Sequence, residues 1–68
     1  MEISEANNKL KTYTGRLITL KDQIFTLESV EEDHLVLRNE DQMHMFIWFS
    51  SIQSVREVPG GSPEIILS

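Results

Sequence analysis

The sequence contains no cysteine in its 68 residues. Disulfides and thiolate zinc sites are therefore excluded, although these are two common reinforcements of domains this small. A single domain of about 60 residues buries only roughly 60% of the surface that its unfolded chain exposes. We expect one domain with a thin core, for which association between copies is the remaining reinforcement.

Long hydrophobic runs are also missing. No apolar stretch approaches the roughly 18 to 20 residues of a membrane span, and the first five residues, MEISE, are acidic rather than basic. A secretory leader would begin with positive charge. We therefore expect a soluble, unexported chain without a membrane partner, and the absence of thiols agrees with a cytoplasmic location.

Basic residues are few. Six Lys and Arg stand against eleven Asp and Glu, giving a formal charge of −5. This balance disfavours a general affinity for phosphate backbones, which is built from clustered bases. Residues 1–22 nevertheless hold four bases against three acids, and these are the candidates for binding RNA: Lys9, Lys11, Arg16 and Lys21. A solvated face is the simpler interpretation of four dispersed bases.

Motifs that carry chemistry are absent. The three glycines form no phosphate-binding pattern. The only imidazoles are His34 and His44, without the close spacing of a metal-binding pair, so nearby carboxylates would have to converge on them. Ser50 and Ser51 are explained more simply as corner residues than as nucleophiles. We predict no catalytic, cofactor or metal site, and no enzymatic activity.

What is present is a period-two hydrophobic pattern interrupted by polar turns, which is typical of antiparallel β structure. A short amphipathic helix precedes it, with apolar positions at Ile3, Ala6 and Leu10. The predicted elements are a helix over residues 4–12 and strands over residues 15–21, 24–30, 34–38, 43–49 and 52–58. We expect the five strands to close into a small antiparallel barrel, with the helix capping one open end.

The segment Pro59-Gly60-Gly61-Ser62-Pro63 ends the fifth strand, because two prolines and two glycines cannot continue a ladder. The pattern assigns residues 1–58 to the single domain and residues 59–68 to a linker and tail. The tail, Glu64-Ile65-Ile66-Leu67-Ser68, is apolar at its centre. A frayed end and a short strand laid on the barrel or on a neighbour are both compatible with it.

The fourth strand, MHMFIWF over residues 43–49, is apolar on both faces. Alternation places Met43, Met45, Ile47 and Phe49 on one face and the remaining three residues on the other. A half-buried strand needs only one apolar face, so this segment is predicted either to be central in a closed barrel or to lie at a seam between subunits.

Exposed aromatics could also serve as a stacking platform for bases, but such platforms lie beside a cationic groove. Residues 31–41 near this strand hold five acids against one base. We therefore interpret the aromatics as core or interface. The interface candidates are Met43, Met45, Phe46, Trp48, Phe49 and Ile52.

The chain resembles the Sm-like, or SH3-like, class of small barrels. The resemblance is carried by GRLI at residues 15–18, VEEDHLVL at 30–37 and FSSIQSV at 49–55. Within that class the chain is most similar to short uncharacterised proteins of spore-forming Gram-positive bacteria. The resemblance implies rings in which the fourth strand of one subunit pairs with the fifth strand of the next.

The same resemblance implies RNA binding around a central pore, but the residues at the corresponding loops differ. The turn Glu31-Glu32-Asp33 is wholly acidic, and the corner Phe49-Ser50-Ser51 lacks the base that RNA-binding relatives supply. Our first hypothesis is a self-associating assembly or adaptor module acting through protein–protein contacts of the fourth and fifth strands. The alternative is an Sm-like RNA-binding protein that uses the N-terminal bases.

Overall fold

The computed structural model describes residues 3–68, with side chains at positions 4, 5 and 7–68. Every predicted element is present, with bounds within two residues of those expected. The elements are α1 (Ile3–Lys11), β1 (Leu17–Leu20), β2 (Gln23–Val30), β3 (His34–Arg38), β4 (His44–Trp48), a 3₁₀ helix (Phe49–Ser51), β5 (Ile52–Arg56) and β6 (Glu64–Leu67).

The strands form one mixed, six-stranded sheet in the order β4-β3-β2-β1-β6-β5. The expectation of five strands in a closed barrel is therefore wrong. The sixth strand comes from the tail, which pairs antiparallel with β5 and parallel with β1. In the described part of the chain β4 and β5 are the two outer strands and share no ladder, so the sheet stays open between them.

The core lies on one face of this curved sheet. Alternate residues of the strands point into it, together with one helix residue and Phe49 of the 3₁₀ helix. The buried apolar residues are Leu10, Ile18, Leu20, Phe25, Leu27, Leu35, Leu37, Phe49, Ile52, Val55 and Ile65. We call this the core face and the opposite side the outer face.

Helix α1 packs against β2 and the 3₁₀ helix rather than over the end of a closed barrel. Leu10 is fully buried in the core, and Asn7 Nδ2 donates a 2.8 Å hydrogen bond to the carbonyl oxygen of Glu31 in the β2–β3 turn. The predicted apolar stripe is described only at Leu10, because the side chains of Ile3 and Ala6 lie outside the described part. Within residues 3–68 no helix is long and apolar enough to cross a membrane.

Two hairpin turns use backbone with positive φ. Lys21 (φ 50°) and Asp22 (φ 63°) join β1 to β2, and paired positive φ values suit the right-handed twist of a tight hairpin. In the β3–β4 turn the Asn39 side-chain oxygen accepts hydrogen bonds from the N–H groups of Asp41 and Met43. These contacts fix the register with which β4 meets β3.

Strand β2 contains an irregularity between Leu27 and Ser29. Before it, Phe25 and Leu27 point into the core; after it, Val30 lies opposite Leu35 and packs against the core. Simple alternation from Phe25 and Leu27 would place Val30 on the outer face, and the extra residue of the bulge reverses that placement.

Candidate interaction surface

Strand β4 is an edge strand. Two hydrogen bonds at the two ends of the β3–β4 ladder establish its hydrogen-bonding phase, that is, which of its residues bond to β3 and which direct their backbone groups to the free edge. The N–H of Asn39 donates to the carbonyl of Met43 at 3.0 Å, and the N–H of Phe49 donates to the carbonyl of Asp33 at 3.0 Å. In an antiparallel ladder bonded and non-bonded pairs alternate. The backbone groups of His44, Phe46 and Trp48 therefore point away from β3, towards the free edge.

The side chains of the same three residues lie on the outer face. His44, Phe46 and Trp48 are opposite Arg38, Val36 and His34 of β3. Phe46 is 63% exposed and Trp48 is 54% exposed. The β4 edge, by which we mean the backbone and side chains of residues 44, 46 and 48, thus offers hydrogen-bonding groups and two large apolar rings together.

The imidazole of His34 contacts both of these rings. It meets Phe46 edge-on at a centroid distance of 5.7 Å and Trp48 at 5.3 Å. Its Nδ1 is 2.7 Å from Oδ1 of Asp33, which fixes the orientation of the ring. These rings are held in a fixed arrangement, and we call His34, Phe46 and Trp48 the aromatic cluster.

The core face of β4 borders a groove. Met45 and Ile47 line it with Leu20, Phe25 and Leu67, and its volume is about 330 Å³. This groove lies between the core face of β4 and the ends of β1, β2 and β6. Strand β4 therefore has apolar side chains on both faces, with Met45 and Ile47 at this groove and Phe46 and Trp48 on the outer face.

The six interface candidates divide into two groups. Met43, Met45, Phe46 and Trp48 are exposed in the single chain, but Phe49 and Ile52 are fully buried in its own core. Phe49 belongs to the 3₁₀ helix after β4, which turns its side chain inward, and Ile52 opens β5 on the core face. The exposed candidates therefore all lie on β4 or directly before it.

The second outer strand, β5, is less suited to pairing with a further strand. Ser68 donates from its N–H to the carbonyl of Ser51 at 2.9 Å, and Ser54 and Arg56 lie opposite Ile66 and Glu64 of β6. Alternation then directs the backbone groups of Val55 to the free edge. The side chain of Val55, however, points into the core.

No contact among the described residues brings the four N-terminal bases together. Lys9 Nζ is 3.7 Å from Oε1 of Glu57, and the Arg16 guanidinium lies over the Tyr13 ring at 5.4 Å. Lys11 ends α1, whereas Lys21 lies in the β1–β2 turn. Two of the four are thus occupied by partners within the chain.

The histidines likewise have no metal-ligating surroundings in residues 3–68, where no group of three or more His, Cys, Asp or Glu side chains is placed to hold an ion. His34 contacts a carboxylate and two aromatic rings, and His44 is exposed at the start of β4. The two imidazoles lie at opposite ends of the β3–β4 ladder, because His34 is opposite Trp48 and His44 is opposite Arg38.

Sequence reasoning missed two contributors to this surface. Sequence reasoning assigned His34 no place beside Trp48, although a connection of five residues, 39–43, places the two residues opposite each other. Leu67 lines the inner groove but lies in the tail, whose docking beside β1 no local pattern indicates.

Comparison of the chain with protein-family models, with curated proteins and with solved structures gave no match in any of the three.

Proposed function

We propose that this protein is a non-enzymatic, self-associating assembly or adaptor module that acts through the free edges of its sheet, β4 and β5, and presents an acidic surface to protein partners. The observation that carries the proposal is the β4 edge. It combines unpaired backbone groups with exposed aromatic side chains, and natural proteins usually protect such edges with charge, proline or a covering element.

The composition of the edge supports this function. Within residues 43–49 there is no Lys, Arg, Asp, Glu or Pro, so this edge lacks the charges and prolines that commonly protect against strand pairing. Exposed apolar rings together with a free ladder are the elements of strand addition, in which main-chain bonds give affinity and alternate side chains give specificity. The aromatic cluster, fixed by His34, also suits an interface because Trp and Tyr or Phe rings are enriched in interface cores.

The charge distribution supports the adaptor part of the proposal. Residues 23–68 carry two bases and eight acids. Arg38 is engaged by Glu28 at 3.1 Å and Arg56 lies 3.9 Å from Glu64, so the acids of the turns dominate the surface field. Partners with basic surfaces would be attracted by such a field.

The experiment is light scattering combined with size-exclusion chromatography, with sedimentation velocity over protein concentrations from about 10 μM to about 1 mM. The variant is Phe46→Lys, which places a charge on the β4 edge. Ile24→Lys is the matched control, because Ile24 is also 63% exposed and lies on the outer face, but on β2. Gln53→Lys tests the contribution of β5.

We expect a mass above that of one chain for the natural sequence and for Ile24→Lys, and a single-chain mass for Phe46→Lys. A natural sequence that stays monomeric up to about 1 mM would refute the proposal. Equal dissociation by the Phe46 and Ile24 variants would also refute it, because the loss would then be unrelated to the β4 edge.

A further inference from the structure

The hydrogen-bonding phase of β4 determines which strand can pair with it. We infer that the β4 edge pairs with the β4 edge of a second copy, antiparallel and about a two-fold axis at Phe46, so that two sheets join into one. This inference rests on the proposed self-association and names its partner surface.

The first step is a geometric rule. Two residues directly opposite each other in an antiparallel pair point their side chains to the same face, and both direct their backbone groups either towards or away from each other. On β4 the residues that direct their backbone groups to the free edge are His44, Phe46 and Trp48, and all three have side chains on the outer face. When the partner is a second β4 strand, the opposed residues have side chains on the same face and backbone groups directed towards each other.

The second step fixes the register. When Phe46 lies opposite Phe46 of the second copy, His44 lies opposite Trp48 of that copy, and the reverse. Each of these pairs can exchange two hydrogen bonds. A register shifted by two residues would leave one of the three residues without a partner in each copy. The centred register is therefore the one that uses the whole edge.

The third step concerns β5, the other outer strand. Val55 directs its backbone groups to the free edge but its side chain into the core. Antiparallel pairing of β5 with β4 would therefore place the inward side chain of Val55 opposite an outward aromatic side chain of β4. The core face of one sheet would then be continuous with the outer face of the other. The N–H of Ile52 is already bonded to the carbonyl of Phe49, which shortens this edge further.

The area available indicates a modest affinity. An aromatic side chain can bury about 150–250 Å², so at their present exposure Phe46 and Trp48 can each contribute roughly 100 Å². The four rings of two copies then supply about 400 Å², before the contributions of Met43, His44 and the backbone. Interfaces below about 1,200 Å² in total belong to the weak or transient class, so the dimer should form only at high protein concentration.

The first test uses the unmodified protein and amide hydrogen exchange measured by NMR at low and high concentration. We expect exchange at His44, Phe46 and Trp48 to slow at least tenfold as the concentration rises, and exchange at Val55 to stay unchanged. Joint slowing at Val55 and the β4 edge, with a growing mass, would overturn the inference and leave the proposed function intact. Unchanged exchange at every site with a single-chain mass would overturn both.

The second test establishes the register by disulfide cross-linking, which is clean because the chain has no cysteine of its own. Residues facing each other in a bonded antiparallel pair have Cα atoms about 5.5 Å apart, within the range that a disulfide spans. We expect Phe46→Cys to link copies at least tenfold faster than the outer-face control Ile24→Cys. A mixture of His44→Cys and Trp48→Cys should give mainly the mixed dimer.

Preferential linkage of Phe46→Cys to Arg56→Cys, or linkage of Phe46→Cys no faster than that of Ile24→Cys while the natural sequence still associates, would contradict the two-fold register. Near-ultraviolet circular dichroism of each variant checks that its core is retained, because all five positions are exposed or half-exposed on the surface of the chain.

Discussion

The N–H of Phe49 donates a 3.0 Å hydrogen bond to the carbonyl oxygen of Asp33. This bond joins the end of the β3–β4 ladder to the 3₁₀ helix, and the same residue sends its side chain into the core. It marks the point at which the two-sided apolar segment divides: Phe46 and Trp48 are more than half exposed, whereas Phe49 is buried in the core.

Replacing Phe49 by alanine should destabilise the protein by about 3–5 kcal/mol, because it removes a fully buried aromatic side chain and leaves a cavity. Phe46→Ala, three residues earlier, should change the stability of the monomer by no more than about 0.5–1 kcal/mol, since most of its ring is exposed. Urea denaturation at low protein concentration measures both. Similar losses for the two variants would mean that Phe46 is part of the monomer core.

A chain ending at Ser62 should lose cooperative unfolding. The truncation removes β6, which lies between β1 and β5, together with the buried side chains of Pro63 and Ile65. Two strand edges would then lack their ladder partner. Far-ultraviolet circular dichroism during thermal unfolding provides the measurement.

Removal of Ser68 alone is the control for this truncation, because it breaks only the hydrogen bond to Ser51 and should cost about 1 kcal/mol or less. A chain without residues 63–68 that still melts in one sharp transition would show that β6 is dispensable for the fold.

Gly15→Ala should destabilise the protein by about 1–2 kcal/mol. Gly15 has φ 83°, and its N–H donates a 2.7 Å hydrogen bond to the carbonyl of Leu27. A Cβ atom at this position would meet no atom within 4 Å, so the cost arises from the backbone conformation rather than from a clash. Gly15→Asn should cost less than alanine, because asparagine tolerates positive φ better. Equal stability of all three chains in urea would contradict this origin.

Salt should strengthen the association. Each copy carries a formal charge of −5, so the copies repel one another, and added salt screens that repulsion. Contacts with phosphate backbones respond in the opposite direction and weaken as salt rises. Sedimentation velocity at low and high sodium chloride concentration measures the first effect, and fluorescence anisotropy with oligo-uridine and oligo-adenosine measures the second.

Salt-sensitive binding of either oligonucleotide, removed by Lys11→Ala and Arg16→Ala, would favour the RNA-binding alternative. Weakening of the self-association by salt would instead indicate that opposite charges meet across the interface.

The helix and the first five strands were accessible from the sequence because each depends on local pattern. The β3 bounds agree at both ends, and the two faces of β4 follow directly from period-two alternation. The candidate interface at Met43, Met45, Phe46 and Trp48 came from the same alternation. Alternation could not show that Phe49 and Ile52 are buried rather than exposed at the interface, because a 3₁₀ turn of three residues carries no strong local signal.

Local patterns and composition suffice to predict a small β-rich domain without thiols, with an apolar fourth strand and an excess of acidic residues. The strand pairing in three dimensions, by contrast, shows that the tail enters the sheet between β1 and β5, and that the sheet has six strands and stays open. These features depend on pairing between distant segments, whereas period-two alternation reports only which face a side chain occupies. The direction of each backbone N–H and C=O group, and therefore the strand that could pair with β4, appears only once the neighbouring strand and its register are known.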